Sequence, residues 1–257
     1  MHSPRILRSS ALIVTVALVV SLAACAPDPA PEKSPKPSAS ASAEPTPTPT
    51  PTPTFDKGAH SLDDPTSIWV VVNKVRPLQP NNYVPSDLVS TPVPHISAPL
   101  MRPKAATALE AMFAASTAEG GGALQIQNSY RSYTVQVNTH NRLVASLGEA
   151  KADAQSARPG YSEHQTGLVA DIAASPSKCD IQACFGQTPQ GIWLAANAWR
   201  FGYLLRYPAD KTAVTGYIYE PWHFRYIGVE LAAEMHAKAI TTLEEFFGLP
   251  GAPDYAP

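Results

Sequence analysis

The chain has 257 residues, 44% of them hydrophobic and 16% charged, with a formal net charge of −2. No basic stripe or aromatic platform interrupts that near-neutral balance, so nucleic acid is not an evident partner. The one long apolar run, Ala11–Ala24, is about fourteen residues, short of the ~20 a membrane-spanning helix needs.

That run follows Arg5 and Arg8 and reads as an export signal over residues 1–24. It ends in Leu22-Ala23-Ala24-Cys25, which resembles a bacterial lipobox; Cys25 would then be lipidated and begin the mature protein. An ordinary secretory signal cut near Ala24 is the competing reading. Several acyl chains on one terminus hold a bilayer stably, so the expected place is the outer face of a bacterial cytoplasmic membrane. Residues 25–54 form a Pro/Thr/Ser-rich stalk: ten of the 29 residues from Ala26 to Thr54 are proline and none is large and apolar. Such a segment favours extended polyproline II, at ~3.1 Å per residue.

Residues 55–257 have ordinary composition and suit one domain. Ile68–Val72 is a β-prone run and reads as a buried strand. Pro-rich irregular chain follows to Pro94. Arg102–Glu119 reads as a helix with Pro103 in its first turn and Gly120-Gly121-Gly122 as its stop. Leu124–Gln127 alternates like a half-buried strand, and Thr134–Leu147 is a second helix ended by Gly148. Leu168–Ala173 is a short strand and Gly191–Arg200 a helix. Tyr203–Tyr207 and Tyr217–Tyr219 read as strands around a Pro-Ala-Asp turn, and Val229–Phe247 as the C-terminal helix. This mixture points to an α+β fold with a small antiparallel sheet flanked by helices. For Cys179 and Cys184, an exported protein's default is a disulfide, worth about 2 kcal/mol. A metal-ligand role is weaker, because no second Cys or His pair lies nearby.

Three segments carry the chemistry: Tyr130-Arg131-Ser132, Ser162-Glu163-His164 with Asp171 seven residues on, and Glu220-Pro221-Trp222-His223. A hydrolytic zinc needs three protein ligands, an open position for water and a carboxylate to take the water's proton. His164, Asp171 and His223 supply the ligands, Glu220 the spare carboxylate and Arg131 a cation for the developing oxyanion. Gly167 allows a sharp turn between His164 and Asp171. Each pair is weak evidence alone: a lone His is more often structural, and an Arg more often pairs with a carboxylate. Ser162 and Gln136 are candidates for gripping substrate, with Tyr130 and Trp222 beside them. Glu163 reads as a surface acid or a partner behind the ligands, and His60, His95, His140 and His236 show no partner pattern.

Taken in order, the blocks resemble the zinc D-alanyl-D-alanine carboxypeptidases of the VanY type. They are Val72-Asn73-Lys74 with Pro77-Leu78, Tyr130-Arg131-Ser132-Tyr133-x-x-Gln136, Arg158-Pro159-Gly160-Tyr161-Ser162-Glu163-His164-Gln165-Thr166-Gly167 with Asp171-Ile172, Arg206-Tyr207-Pro208, and Glu220-Pro221-Trp222-His223-x-Arg225-Tyr226. The resemblance implies one Zn2+ held by His164, Asp171 and His223, Glu220 as acid/base, Arg131 as transition-state stabiliser and Ser162 and Gln136 as substrate contacts. It also implies the α+β fold shared with the Hedgehog signalling domain, and peptidoglycan stem peptides ending in D-alanine as partners. A monomer is expected. D,D- and L,D-enzymes of this family share nearly all these motifs. A non-catalytic wall-binding module would have no need of Glu220 and Arg131. Asn128-Ser129 stands where the family usually has Ser-Gly, and Val169 where a small residue is common.

Overall fold

A computed structural model describes residues 54–256. The export signal, Cys25 and the stalk up to residue 53 lie outside the described residues. The domain runs β1 (Val89–Ser90), β2 (Leu100–Met101), α1 (Pro103–Ala118), β3 (Leu124–Asn128), α2 (Tyr133–Leu147) and α3 (Glu149–Asp153). It continues through β4 (Val169–Ala174), α4 (Pro189–Asn197), β5 (Tyr203–Leu205), α5 (Thr212–Thr215), β6 (His223–Tyr226), α6 (Val229–Ala237) and α7 (Leu243–Phe247). β1 and β2 form a small antiparallel ribbon, and the main antiparallel sheet has the order β3-β4-β6-β5. The architecture is α+β, as expected.

Alternation along the strands sorts the side chains. Ala170 and Ile172 of β4, with Phe224 and Tyr226 of β6, join Leu109, Met112 and Leu194 of α1 and α4 in the larger core. The reverse face presents Asp171, His223 and Arg225. The smaller core gathers Trp69 and Val71 with Leu231 and Met235 of α6 and Leu243 and Phe246 of α7.

Four expectations need correction. Ile68–Val72 is not a strand, although all of it but the half-buried Ile68 is buried. Its carbonyls are taken by arginines instead of by a neighbouring strand: Arg225 donates to Ile68 O and Val70 O at 3.2 and 2.8 Å, and Arg76 to Val71 O at 3.3 Å. Tyr217–Tyr219 is irregular. Gly216 turns the chain at φ 81°, and Ile218 N–H is spent on Ala154 O at 3.1 Å, off the sheet. The strand that pairs with β5 is β6, which begins at His223. The helix expected over Val229–Phe247 is two helices, α6 and α7. Ala239 at φ 53° ends the first, and Thr242 caps the second by accepting from Glu245 N–H at 3.2 Å. The expected helix over Gly191–Arg200 is α4 followed by a tighter 3-10 turn, Ala198–Phe201, stopped at Gly202.

Candidate metal centre and cleft

Three strands place three polar side chains in one row. Asn128 is opposite Asp171, and Asp171 is opposite His223, so all three project from the same face as direct cross-strand neighbours. An extra residue in β3, a bulge between Ile126 and Asn128, makes this possible. Ile126 stays in the core while Asn128 turns to the reverse face, where its amide donates to Asp171 Oδ2 at 3.3 Å. His164 arrives from a 3-10 turn, Glu163–Thr166, closed by Gly167 at φ 69°. A Cβ at Gly167 would stand 2.8 Å from Leu88 Cδ2, so the reversal before β4 needs glycine.

The result is a tight triad. His164 Nε2 lies 3.3 Å from Asp171 Oδ2, and His223 Nδ1 lies 3.4 Å from Asp171 Oδ1. One donor atom from each of the three residues falls within 4.8 Å of the other two. The remaining ring nitrogens face other groups. His164 Nδ1–H donates to Ser129 O at 2.6 Å, and His223 Nε2 faces Glu163 Oε2 at 3.4 Å. These contacts fix which nitrogen of each ring is free to bind a metal. Asp171 Oδ1 is buried with no hydrogen-bond partner among the described residues. Two imidazoles, one carboxylate and an orphaned buried oxygen fit a zinc ion.

Electrostatics agree with that reading. Burial alone would raise the Asp171 carboxyl, but His164 and His223 overcome it and hold the group far below its ordinary range. Burial opposes a charged His223, yet the carboxylates of Asp171, Glu163 and Glu220 around the ring push its pKa well upward. Three carboxylates around one ring make a nest for a cation. Glu220 is raised by burial. A turn over Glu220–His223, with Pro221 second, brings Glu220 Oε2 to 3.4 Å from His223 Nδ1.

These groups floor a cleft of about 200 Å³ lined by Arg131, Ser162, Tyr207, Tyr217, Glu220 and Trp222, among others. Arg131 precedes Ser132, the N-cap of α2, and its Nη2 is 3.9 Å from Asp171 Oδ2. Ser162 and Trp222 line the cleft. Gln136 does not: it is fully buried, accepts from Arg131 Nη1 at 2.9 Å and donates to Ala157 O at 2.6 Å, so it braces the guanidinium from behind. Tyr130 is half-buried and lies outside the lining, its N–H tied to Leu100 O at 3.0 Å. Cys179 and Cys184 are joined as a disulfide, with their Cα atoms 5.6 Å apart.

Sequence reasoning underrated Glu163 and overlooked the group behind it. Glu163 is fully buried. Its Oε1 accepts from Arg206 Nε at 2.9 Å and Arg225 Nη1 at 3.0 Å, and Arg206 makes a two-pronged contact with Glu244 at 2.7 and 2.9 Å. Asn73 completes the chain by donating to Glu244 Oε1 at 2.9 Å. Burial disfavours the Glu163 charge, but Arg206 and Arg225 hold its carboxyl well below the usual range. A signal was present in the expected strand Tyr203–Tyr207, where Arg206 stands among apolar and aromatic residues.

The family model described as "VanY: D-alanyl-D-alanine carboxypeptidase" matches residues 98–229. A putative carboxypeptidase, YodJ of Bacillus subtilis (strain 168), is 40% identical over 195 residues, 74% of this chain and 70% of that protein. Among solved structures, the LdcB LD-carboxypeptidase superposes with a TM-score of 0.66 at 40% identity, covering 72% of this chain and 87% of that one. A mutant of the D,D-pentapeptidase VanY from a VanB-type resistance cassette, in complex with Zn(II), gives 0.58 at 30% identity, with 69% and 97% covered. The match spans the metal triad, the acid beside it and the arginine opposite; the chain belongs to the VanY carboxypeptidase family.

Proposed function

We propose that the protein is a zinc carboxypeptidase that removes the C-terminal D-alanine from peptidoglycan stem peptides ending in D-Ala-D-Ala. The observation that carries this is the convergence of His164, Asp171 and His223 at the floor of a cleft that also holds Glu220 and Arg131. Zinc held by those three residues would act as a Lewis acid and bring its water to a pKa of about 7. Glu220, in a buried position that favours its protonated form more than usual, accepts a proton from the attacking water. It then returns that proton to the departing D-alanine amine. Arg131, braced by Gln136, meets the negative charge that develops on the scissile carbonyl oxygen. Ser162 and Trp222 orient the peptide.

The test is D-alanine release from a synthetic pentapeptide. Chelation should abolish it and zinc restore it, while Glu220→Gln should lower kcat by about 100-fold to 10,000-fold. A wild-type protein that binds zinc yet releases nothing from pentapeptides or tetrapeptides would sink the proposal. Removal of D-alanine from tetrapeptide stems is the second reading, favoured by the 40% identity to the LdcB LD-carboxypeptidase. Mass spectrometry of digested muropeptides separates the two. We place the enzyme on the outer face of the membrane through lipidated Cys25; Cys25→Ser should then release it into the medium.

A further inference from the structure

The loop between β4 and α4 contains a residue in a conformation it should avoid. Ile181 has φ 52° and Cys179 has φ 58°, two of the three positive-φ non-glycine residues among those described. For a β-branched side chain this is a genuine outlier. The loop is closed twice over, by the Cys179–Cys184 disulfide and by Gln182 N–H donating to Cys179 O at 3.2 Å. Glycine or asparagine at position 181 would adopt the same turn readily. Nor does burial explain the isoleucine, since 40% of it is exposed. What it does is line the cleft, as does Leu143 of α2.

We propose that Ile181 is a specificity-determining residue that grips an aliphatic side chain on the acyl side of the scissile bond. The inference rests on the carboxypeptidase reading of this cleft and deepens it. A leaving D-alanine carries a free carboxylate, which an aliphatic wall would strip of water without offering a partner. Methyl and methylene groups of the acyl portion need apolar walls, which Ile181 and Leu143 provide. Backbone strain held at the rim is then the cost of presenting this side chain to the peptide.

The test uses Ile181→Gly and Ile181→Asn, each in the zinc-loaded Glu220→Gln protein so that binding is read without turnover. Melting temperature and calorimetric affinity are measured for two acyl-D-Ala-D-Ala peptides. One carries leucine before D-Ala-D-Ala and the other glycine. Both variants should melt at or above their parent, because the strain is relieved. They should bind the leucine peptide about 10-fold more weakly and lose the parent's preference for it over the glycine peptide. Parent-like affinity for the leucine peptide overturns the inference, as does a fall in melting temperature, which marks a structural role. Failure of the parent to bind either peptide also overturns it. Release of D-alanine by protein with Glu220 intact is scored separately: peptide binding without any release sinks the carboxypeptidase reading, whereas the affinities of the Ile181 variants score the grip.

Discussion

Strands β4 and β6 show two unlike surfaces. Toward α1 and α4 they turn Ala170, Ile172, Phe224 and Tyr226, held by apolar area removed from water. That force is non-directional and tolerates exchange between side chains of similar size. On the reverse they turn Asp171, His223 and Arg225, equally buried, each dependent on a particular partner. A buried charge pair adds little net stability over a well-packed apolar pair, but losing one member is expensive. The contrast separates what makes the domain fold from what makes the candidate metal site, since the strands give one face to each.

The largest test of that contrast is Glu244→Gln, which leaves Arg206 short of a partner far behind the cleft. Chemical denaturation should show a loss of about 3–5 kcal/mol at neutral pH. Burial opposes the Glu244 charge, but Arg206 holds its carboxyl below the ordinary value. Its contribution is therefore present above the unfolded pKa of about 4.3 and fades as pH falls through the lower folded value. The gap between wild type and variant should narrow as pH drops below ~4. Next comes Glu163→Gln, which weakens the hold on His223. Zinc affinity, measured by competition with a chelator, should fall about 10-fold to 100-fold. Unchanged affinity would mean the Glu163 contact is mere packing. The smallest effect sharpens the comparison from the other side. Ile172→Val should cost about 0.5–1.5 kcal/mol and leave zinc affinity as it was, although Ile172 is next to Asp171 in sequence.

The sequence was most legible where local rules and tertiary packing agree. α1 and α2 lie within a residue of expectation at each end because Pro103, Ser132 and Gly148 mark their limits chemically. The triad, Glu220 and Arg131 could be named from motif spacing, yet their meeting depends on register, which no spacing encodes. The bulge that turns Asn128 toward Asp171 was invisible for the same reason: Leu-Gln-Ile-Gln alternates as a regular strand would. Ile68–Val72 failed because β-propensity measures fit to a half-buried pleat and not the presence of a partner strand. Here arginine side chains stand in for that partner. The break between α6 and α7 was readable in principle, since Thr242-x-x-Glu245 has capping-box spacing inside the expected helix, and Glu245 N–H does donate to the Thr242 hydroxyl. Gln136 reads as a substrate contact from its polar side chain and from the family resemblance, and only its direction in the fold, toward Arg131 and Ala157 O, decides otherwise.

The two imidazoles are secured by different materials. His164 leans on a main-chain oxygen, that of Ser129, which almost every amino acid would supply equally well. His223 leans on a carboxylate that a single codon change can remove. Natural drift and laboratory redesign therefore have an adjustable grip on one imidazole and almost none on the other. Any gradual retuning of metal preference in this scaffold should begin at position 163.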